Sequence, residues 1–316
     1  MHIVTHGGKF HADDVWAVSV LSILFPDCEI SRTRDPAIIE AADFAIDVGG
    51  IWDPAHGRFD HHQKNFSATR SNGVPYASAG LVWKKYGARC VSALAAAHAG
   101  HQLSEDSAQH IAYAIDDDIV QYLDLSDVGA AKNAPGGYGL SAVISGFNPN
   151  WLDEQTLGYG DAAEAYRLSQ FRRAQAILAD IMINAVKYRV GALLALAQVR
   201  QSEVLEGGKV LFLNNSALPW TAVVRKEMPK VLFVISHNLA EQRYMLHTVP
   251  ISSESFVARA DLPAAWAGLR DAELAAVTGV PDASFCHNGR FIAAAKSFEG
   301  TLAMARLALQ AVEAGQ

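Results

Sequence analysis

Cysteine is scarce in this chain. The three present, Cys28, Cys90 and Cys286, lie far apart with no CxxC spacing. That argues against a disulfide scaffold or a thiolate metal site and suits a reducing cytosol. No apolar run approaches the ~20 residues needed to span a membrane; even Val190 to Val199 stops short. No basic segment precedes the strand-like His2-Ile3-Val4, so no signal peptide is expected and a cytoplasmic location is. An excess of positive charge is also missing. Lys and Arg number 26 against 33 Asp and Glu, a net charge of −7 with His neutral. This is not the balance of a protein that wraps long duplex nucleic acid electrostatically, but it permits short or single-stranded substrates held by a local patch. Repeats and low-complexity tracts are absent as well. What remains is ordinary globular material: 316 residues, 50% hydrophobic and 19% charged, enough for about two domains.

The first half alternates short apolar strands with helical stretches. His2 to Thr5, Glu29 to Thr33 and Phe44 to Ile46 read as strands. Asp13 or Asp14 can cap a helix carrying Val15 to Leu24, and Pro36 to Ala42 reads as a short helix. Ala77 to Tyr86 looks helical with Gly87 as its stop, Val91 to Gly100 looks like another helix, and Ser104 can cap a third through Tyr122. Strands alternating with helices predict an α/β fold, a parallel sheet with helices on both faces. Asp161 to about Gln201 is helical in period. After Gly208 the texture becomes strands at Val210–Leu213, Ala222–Arg225, Val231–Ser236 and Arg243–Val249, then helices near Leu262–Leu269 and Phe298–Val312. The expected organisation is a catalytic domain over 1–160, a helical connector over 161–203 and a smaller α+β domain over 204–316.

Four clusters of ligand-type residues fall within the first 120 positions: His6 to Asp14, Asp47, Asp60-His61-His62 and Asp116-Asp117-Asp118. Imidazole nitrogen and carboxylate oxygen both suit Mn²⁺, Zn²⁺ or Fe²⁺. Asp47 ends an apolar strand, where a carboxylate has no packing role, and open α/β sheets bind ligands beyond their carboxyl ends. A two-metal site needs a bridging carboxylate and flanking ligands for each ion. Asp47 is the natural bridge, with His6, His11 and Asp13 on one side and His61 and Asp116 on the other. His62 could ligate or stabilise charge on a phosphate, and Asp60 could orient a histidine. Bland readings stand beside these: solvated acidic turns, Asp14 as a helix cap, His11 as a loop histidine, Asp117 and Asp118 as solvated helix residues. Arg58 could contact phosphate or pair with a carboxylate. In the second domain, Cys286 to Lys296 puts small residues between an imidazole and a cation, which suits phosphate or carboxylate as well as an ordinary loop. Arg259, His287, Arg290 and Lys296 are its candidate substrate contacts.

Several runs resemble the melanocyte-proliferating-gene (Myg) family, long labelled metal-dependent protein hydrolases and related to the DHH phosphoesterases. They include Thr5-His6-Gly7 to Val15, Asp47-Val48-Gly49-Gly50, Arg58 to Gln63, Ala79-Gly80-Leu81-Val82-Trp83, Phe147-Asn148-Pro149-Asn150-Trp151, and Phe291 to Lys296. The resemblance covers nearly the whole chain. It implies a DHH-type catalytic domain, a C-terminal substrate-gripping domain and a divalent-metal phosphoesterase; eukaryotic members look like 3′-to-5′ RNA exonucleases. Against the family's Asp-x-x-Asp-Asn-Gly pattern this chain is expected to set Tyr113 to Asp118, transferring Asp116. Where the family's C-terminal motif is glycine-rich, this chain has Ala293-Ala294-Ala295. The expected function is a phosphodiesterase with two divalent ions, Mn²⁺ foremost, acting on short or single-stranded nucleic acid and RNA in particular. Its oligomeric state is left open, a dimer included. Amide hydrolysis and a non-catalytic metal-bound module are the rivals.

Overall fold

The computed structural model describes residues 1–130, 139–252 and 257–315. The chain divides into two compact units, Met1–Val190 and Gly191–Gln316.

The first unit is built on strands β1 (His2–Thr5), β2 (Glu29–Arg32), β3 (Phe44–Ile46), β4 (Trp52–Asp53) and β5 (Arg58–Phe59), in the order β2-β1-β3-β5-β4. All neighbours pair in parallel except the edge strand β4, which runs antiparallel to β5. Successive strand residues point to opposite faces, and the packing follows that period. Ile3, Phe44, Ile46 and Phe59 enter one core with helices α1 (Ala12–Leu24) and α3 (Ser78–Ala99). Val4, Ala45 and Val48 face the other way, against Ile39 of the short α2 (Pro36–Ala41) and Ala42 just after it. Both faces are covered, as an α/β sheet requires.

Helix α1 is buried on every side from Ala12 to Leu21, which makes it a core helix. Helix α3 runs through Gly87 and stops only at Gly100, whose left-handed φ of 62° ends it. Gly87 is not the expected stop: a Cβ there would fall 2.9 Å from the Trp83 ring, so glycine serves close packing. Ser104 caps α4 (Glu105–Ile115) through Ser107 N, 3.2 Å away. A π-helical turn, Asp116–Val120, then leads into α5 (Gln121–Asp127). After α6 (Leu140–Ser145) and α7 (Trp151–Leu157) comes the 41-residue α8 (Asp161–Gln201). The stretch of α8 from Phe171 to Val190 packs its apolar face into the first unit's core.

The second unit is a six-stranded, mainly antiparallel sheet of order β10-β11-β9-β8-β7-β6. Its strands are β6 (Val204–Leu205), β7 (Val210–Leu213), β8 (Phe233–Asn238), β9 (Arg243–Thr248), β10 (Ala283–Cys286) and β11 (Ile292–Ala295). Helices α9 (Thr221–Glu227), α10 (Asp271–Thr278) and α11 (Phe298–Glu313) accompany it. The segment expected as a strand at Ala222–Arg225 is helix α9. Its Val223 and Val224 bury against Val199, Leu211 and Val231, and that burial outweighs their β-propensity. The stretch near Leu262–Leu269 makes only a 3₁₀ turn, Ala264–Trp266, and α10 follows it. Among the described residues no helix is long and apolar enough to cross a membrane.

Candidate metal centre

The ligand-type residues converge beyond the carboxyl ends of β1 and β3. His6 follows β1 and is 3% exposed. Its Nδ1 lies 3.1 Å from the Gly7 carbonyl oxygen. Donation there places the proton on Nδ1 and leaves the Nε2 lone pair pointing inward, 3.4 Å from Asp14 Oδ2 and 3.5 Å from Asp47 Oδ2. Burial holds the His6 pKa below its ordinary value against the pull of Asp47. Neutral imidazole is the ligating form. Asp13 and Asp14 open α1. Asp14 Oδ1 accepts from His11 N at 2.9 Å, so Asp14 does cap the helix, reaching back from its first turn. Asn148 clamps the same loop: its side chain accepts from Phe10 N at 2.9 Å and donates to Phe10 O at 2.8 Å.

Asp47 stands directly after β3 with φ at +55°, a left-handed conformation that strains a non-glycine residue. Ser78, the first residue of α3 and fully buried, donates to Asp47 Oδ1 at 3.0 Å. His61 Nε2 lies 3.2 Å from the same oxygen and 3.1 Å from Asp127 Oδ2. Next to it His62 is turned outward with its side chain 62% exposed, and its Nδ1 lies 2.8 Å from Asp60 Oδ1. Asp60 is itself fixed by His62 N at 3.0 Å and Gly50 N at 2.6 Å. His11 is half-exposed, its Nδ1 3.5 Å from Asp127 Oδ1.

Three sets of side chains bring potential ligand atoms within 4.8 Å of one another: His6, His11 and Asp47; Asp47, His61 and His62; His11, Asp13 and Asp127. Asp47 belongs to two of them. His6 Nε2 and both carboxylate oxygens of Asp13 are buried without a hydrogen bond among the described residues. Orphaned buried polar atoms are rare in folded proteins, and these three are of metal-ligand type. The electrostatics agree. Burial and the carboxylates of Asp47, Asp127 and Asp14 hold Asp13 well above the usual range, and burial with Asp47 raises Asp14 to about 7. For Asp47, burial is outweighed by His61, His6 and His62, and its pKa is lowered. Burial works against a proton on His61, yet Asp127 and Asp47 lift it to about 10. The cluster demands positive charge, and the donor set fits divalent metal.

Asp116 is not part of this cluster. Both its oxygens accept from Arg70, each at 2.7 Å. The position expected for it is taken by Asp127, roughly three helical turns further along. The signal that finds Asp127 lies in the sequence: Asp124-Leu125-Ser126-Asp127-Val128-Gly129 fits Asp-x-x-Asp-Asn-Gly with valine for asparagine. Asp124 is fully buried, accepts from Gly80 N at 3.0 Å and lies 2.8 Å from Arg70 Nη2. Its burial outweighs Arg70 and raises its pKa to about 7.

Of the basic candidates, Arg58 donates to the carbonyls of Ala42 and Glu40 at 2.9 and 3.0 Å, which makes it a structural brace. Arg259 donates to four backbone carbonyls, those of Met228, Val231, Val224 and Arg225, and so closes the end of α9. Arg290 lies 3.0 Å from Asp261, and His287 Nδ1 accepts from Gly289 N at 3.0 Å. Lys296 is exposed at the end of β11. Ala293, Ala294 and Ala295 are fully buried in that strand between β9 and β10.

A mixed α/β protein with a buried His/Asp cluster at its strand ends is the frame of a hydrolase. The chain matches MYG1_exonuc, described as an uncharacterised protein family (UPF0160), over residues 2–309, and it belongs to that family. The MYG1 exonuclease of Homo sapiens is 30% identical over 336 residues, covering 97% of this chain and 85% of its own. That of Mus musculus is 32% identical over 335 residues, covering 97% and 84%. A MYG1 protein of Caenorhabditis elegans is 30% identical over 338 residues, covering 98% and 95%. Among solved structures, RecJ from Thermus thermophilus in complex with Mn²⁺ aligns with 98% of this chain and 52% of its own at 14% identity and a TM-score of 0.27. The chain thus spans about half of RecJ, a likeness too distant for residue-level comparison.

Proposed function

We propose that this protein is a divalent-metal-dependent phosphodiesterase that works as an exonuclease on short or single-stranded nucleic acid, with RNA, the 3′-to-5′ direction and Mn²⁺ as its favoured specifics. The observation that carries this is Asp47, one carboxylate shared by two ligand sets, in a cluster where His6 Nε2 and both Asp13 oxygens are buried without a hydrogen bond among the described residues. Asp47 would bridge, with His6, His11 and Asp13 on one side and His61 and Asp127 on the other. Bound divalent ions would polarise a scissile phosphate and lower the pKa of an attacking water.

The remaining roles fall to the chain itself. Ser78 and the turn after β3 fix the direction of the Asp47 carboxylate. Asp60 engages His62 at Nδ1, which turns Nε2 toward solvent. There Nε2 can accept a proton or, once protonated, donate to a phosphate oxygen as charge develops. Lys296 is an exposed cation of the second unit and the candidate there for a phosphate of a longer strand.

The test is purified protein with manganese on short RNA and DNA labelled at either end, alongside peptides. The expected result is stepwise loss of 3′ mononucleotides, abolished by chelation and by Asp47→Ala, with metal content falling in that variant. Peptide cleavage without nucleic-acid cleavage, or wild-type metal content in Asp47→Ala, would overturn the assignment.

A further inference from the structure

Beside the metal cluster runs a groove of about 440 Å³ that the ligand set does not use. It is lined by Trp52, Gln63, Lys64, Asn65, Phe66 and Ser67, together with Ala68. Trp52 sits on the edge strand β4 and is 39% exposed. Its ring meets Phe66 edge-on at 5.6 Å, and Phe66 in turn lies 6.2 Å from the His61 ring. Gln63 ties this wall to the site: in the orientation that satisfies its amide, it accepts from Trp52 N and donates to Asp60 O, both at 2.9 Å. The groove is therefore continuous with the Asp60-His61-His62 run. Lys64 and Asn65 are exposed along it, and Lys64 is the one charged residue in its lining among the described residues.

An exposed tryptophan alone signals nothing. Here it stands in a concavity of ligand size, beside a lone cation and two amides, next to a cluster whose proposed substrate carries phosphate. We infer that this groove seats a nucleobase of a single-stranded nucleic acid next to the scissile phosphate, stacked on Trp52, with Lys64 on the adjoining phosphate. The inference rests on the phosphodiesterase reading and adds to it a base-binding subsite. Bases in a duplex are stacked on one another and have no free face to offer, so an aromatic wall selects unpaired ends. Because every base has a π-face, such a wall tolerates sequence.

The experiment measures binding without turnover, by anisotropy of a fluorescent short RNA with the full chain in EDTA. Trp52→Ala should weaken binding about tenfold or more, and Trp52→Phe, which keeps an aromatic face, should restore most of it. Lys64→Gln should lower the salt dependence by about one counterion. An RNA with an abasic site at its 3′ end should bind wild type more weakly, yet lose nothing further in Trp52→Ala. Unchanged melting temperature and metal content in Trp52→Ala would show that fold and ligand set persist. Equal affinity of wild type and Trp52→Ala, or indifference to the abasic site, overturns this inference and leaves the phosphodiesterase reading standing if the RNA is still cleaved. Failure of wild type to bind or cleave any oligonucleotide overturns both.

Discussion

Replacing Asp127 by Asn tests which acidic residue completes the cluster, since setting the family pattern on Tyr113 to Asp118 points to Asp116 and the geometry points to Asp127. Asp127 and Asp47 lift His61 from 6.5 to about 10 against the effect of burial. That corresponds to about 5 kcal/mol of preference for positive charge at this spot. Asp127 Oδ2 is as close to His61 Nε2 as Asp47 Oδ1 is, 3.1 against 3.2 Å, and a hydrogen bond to a charged group is worth about 1.5–3 kcal/mol. Losing about 2 kcal/mol weakens a cation about 30-fold, and a divalent one by more. Titration calorimetry of manganese into chelator-treated protein near neutral pH should show that loss in Asp127→Asn. Asp116→Asn should keep wild-type affinity while losing about 1–3 kcal/mol of stability, because Arg70 gives up a two-bond partner and retains Asp124. The pH dependence has a definite sign. His61 must shed its proton to ligate, so below about pH 10 metal binding releases protons and affinity rises with pH. If Asp116→Asn abolishes metal binding and Asp127→Asn leaves it intact, the geometric assignment is wrong.

Other outcomes follow from the same structure. His62→Ala should keep its metal by elemental analysis and lose about 10²–10⁴-fold in kcat; metal loss matching that of His61→Ala would make His62 a ligand instead. Gly80→Ala would place a Cβ 2.0 Å from Asp124 Oδ2 and 2.5 Å from Arg70 Nη2, so chemical denaturation should show about 1–3 kcal/mol of destabilisation; wild-type stability would mean the Arg70–Asp124 pair is loose. His247 sits between β8 and β11, its Nε2 3.0 Å from Ser236 Oγ, and burial lowers its pKa to about 4. The unfolded chain then binds a proton that the folded one refuses. Stability should fall as pH drops from about 6.5 toward 4, by at most about 3 kcal/mol. His247→Gln should flatten that part of the melting profile; an unchanged slope would assign it to other groups.

Much of the first unit was legible because its signals are local. The apolar runs at His2–Thr5 and Phe44–Ile46 become β1 and β3, Ser104 caps its helix, and Asp14 reaches back to His11 N. Period and capping depend on residues a few positions apart, which the sequence displays. The strand ends also put His6 and Asp47 beside each other by topology alone, since β1 and β3 pair in parallel. What tertiary structure decided are matters of distant partners. Asp116 is drawn off by Arg70, and the π-helical turn leads into the α5 that ends on Asp127. Arg58 and Arg259, cationic and free on paper, are spent on backbone carbonyls contributed by segments 16 to 35 residues away. Val223 and Val224 look like strand residues until Val199, Leu211 and Val231 give a helix face something to bury against. A sequence shows which side chains can donate, accept or ligate; which of them remain free to do so depends on what the fold places within about 3 Å.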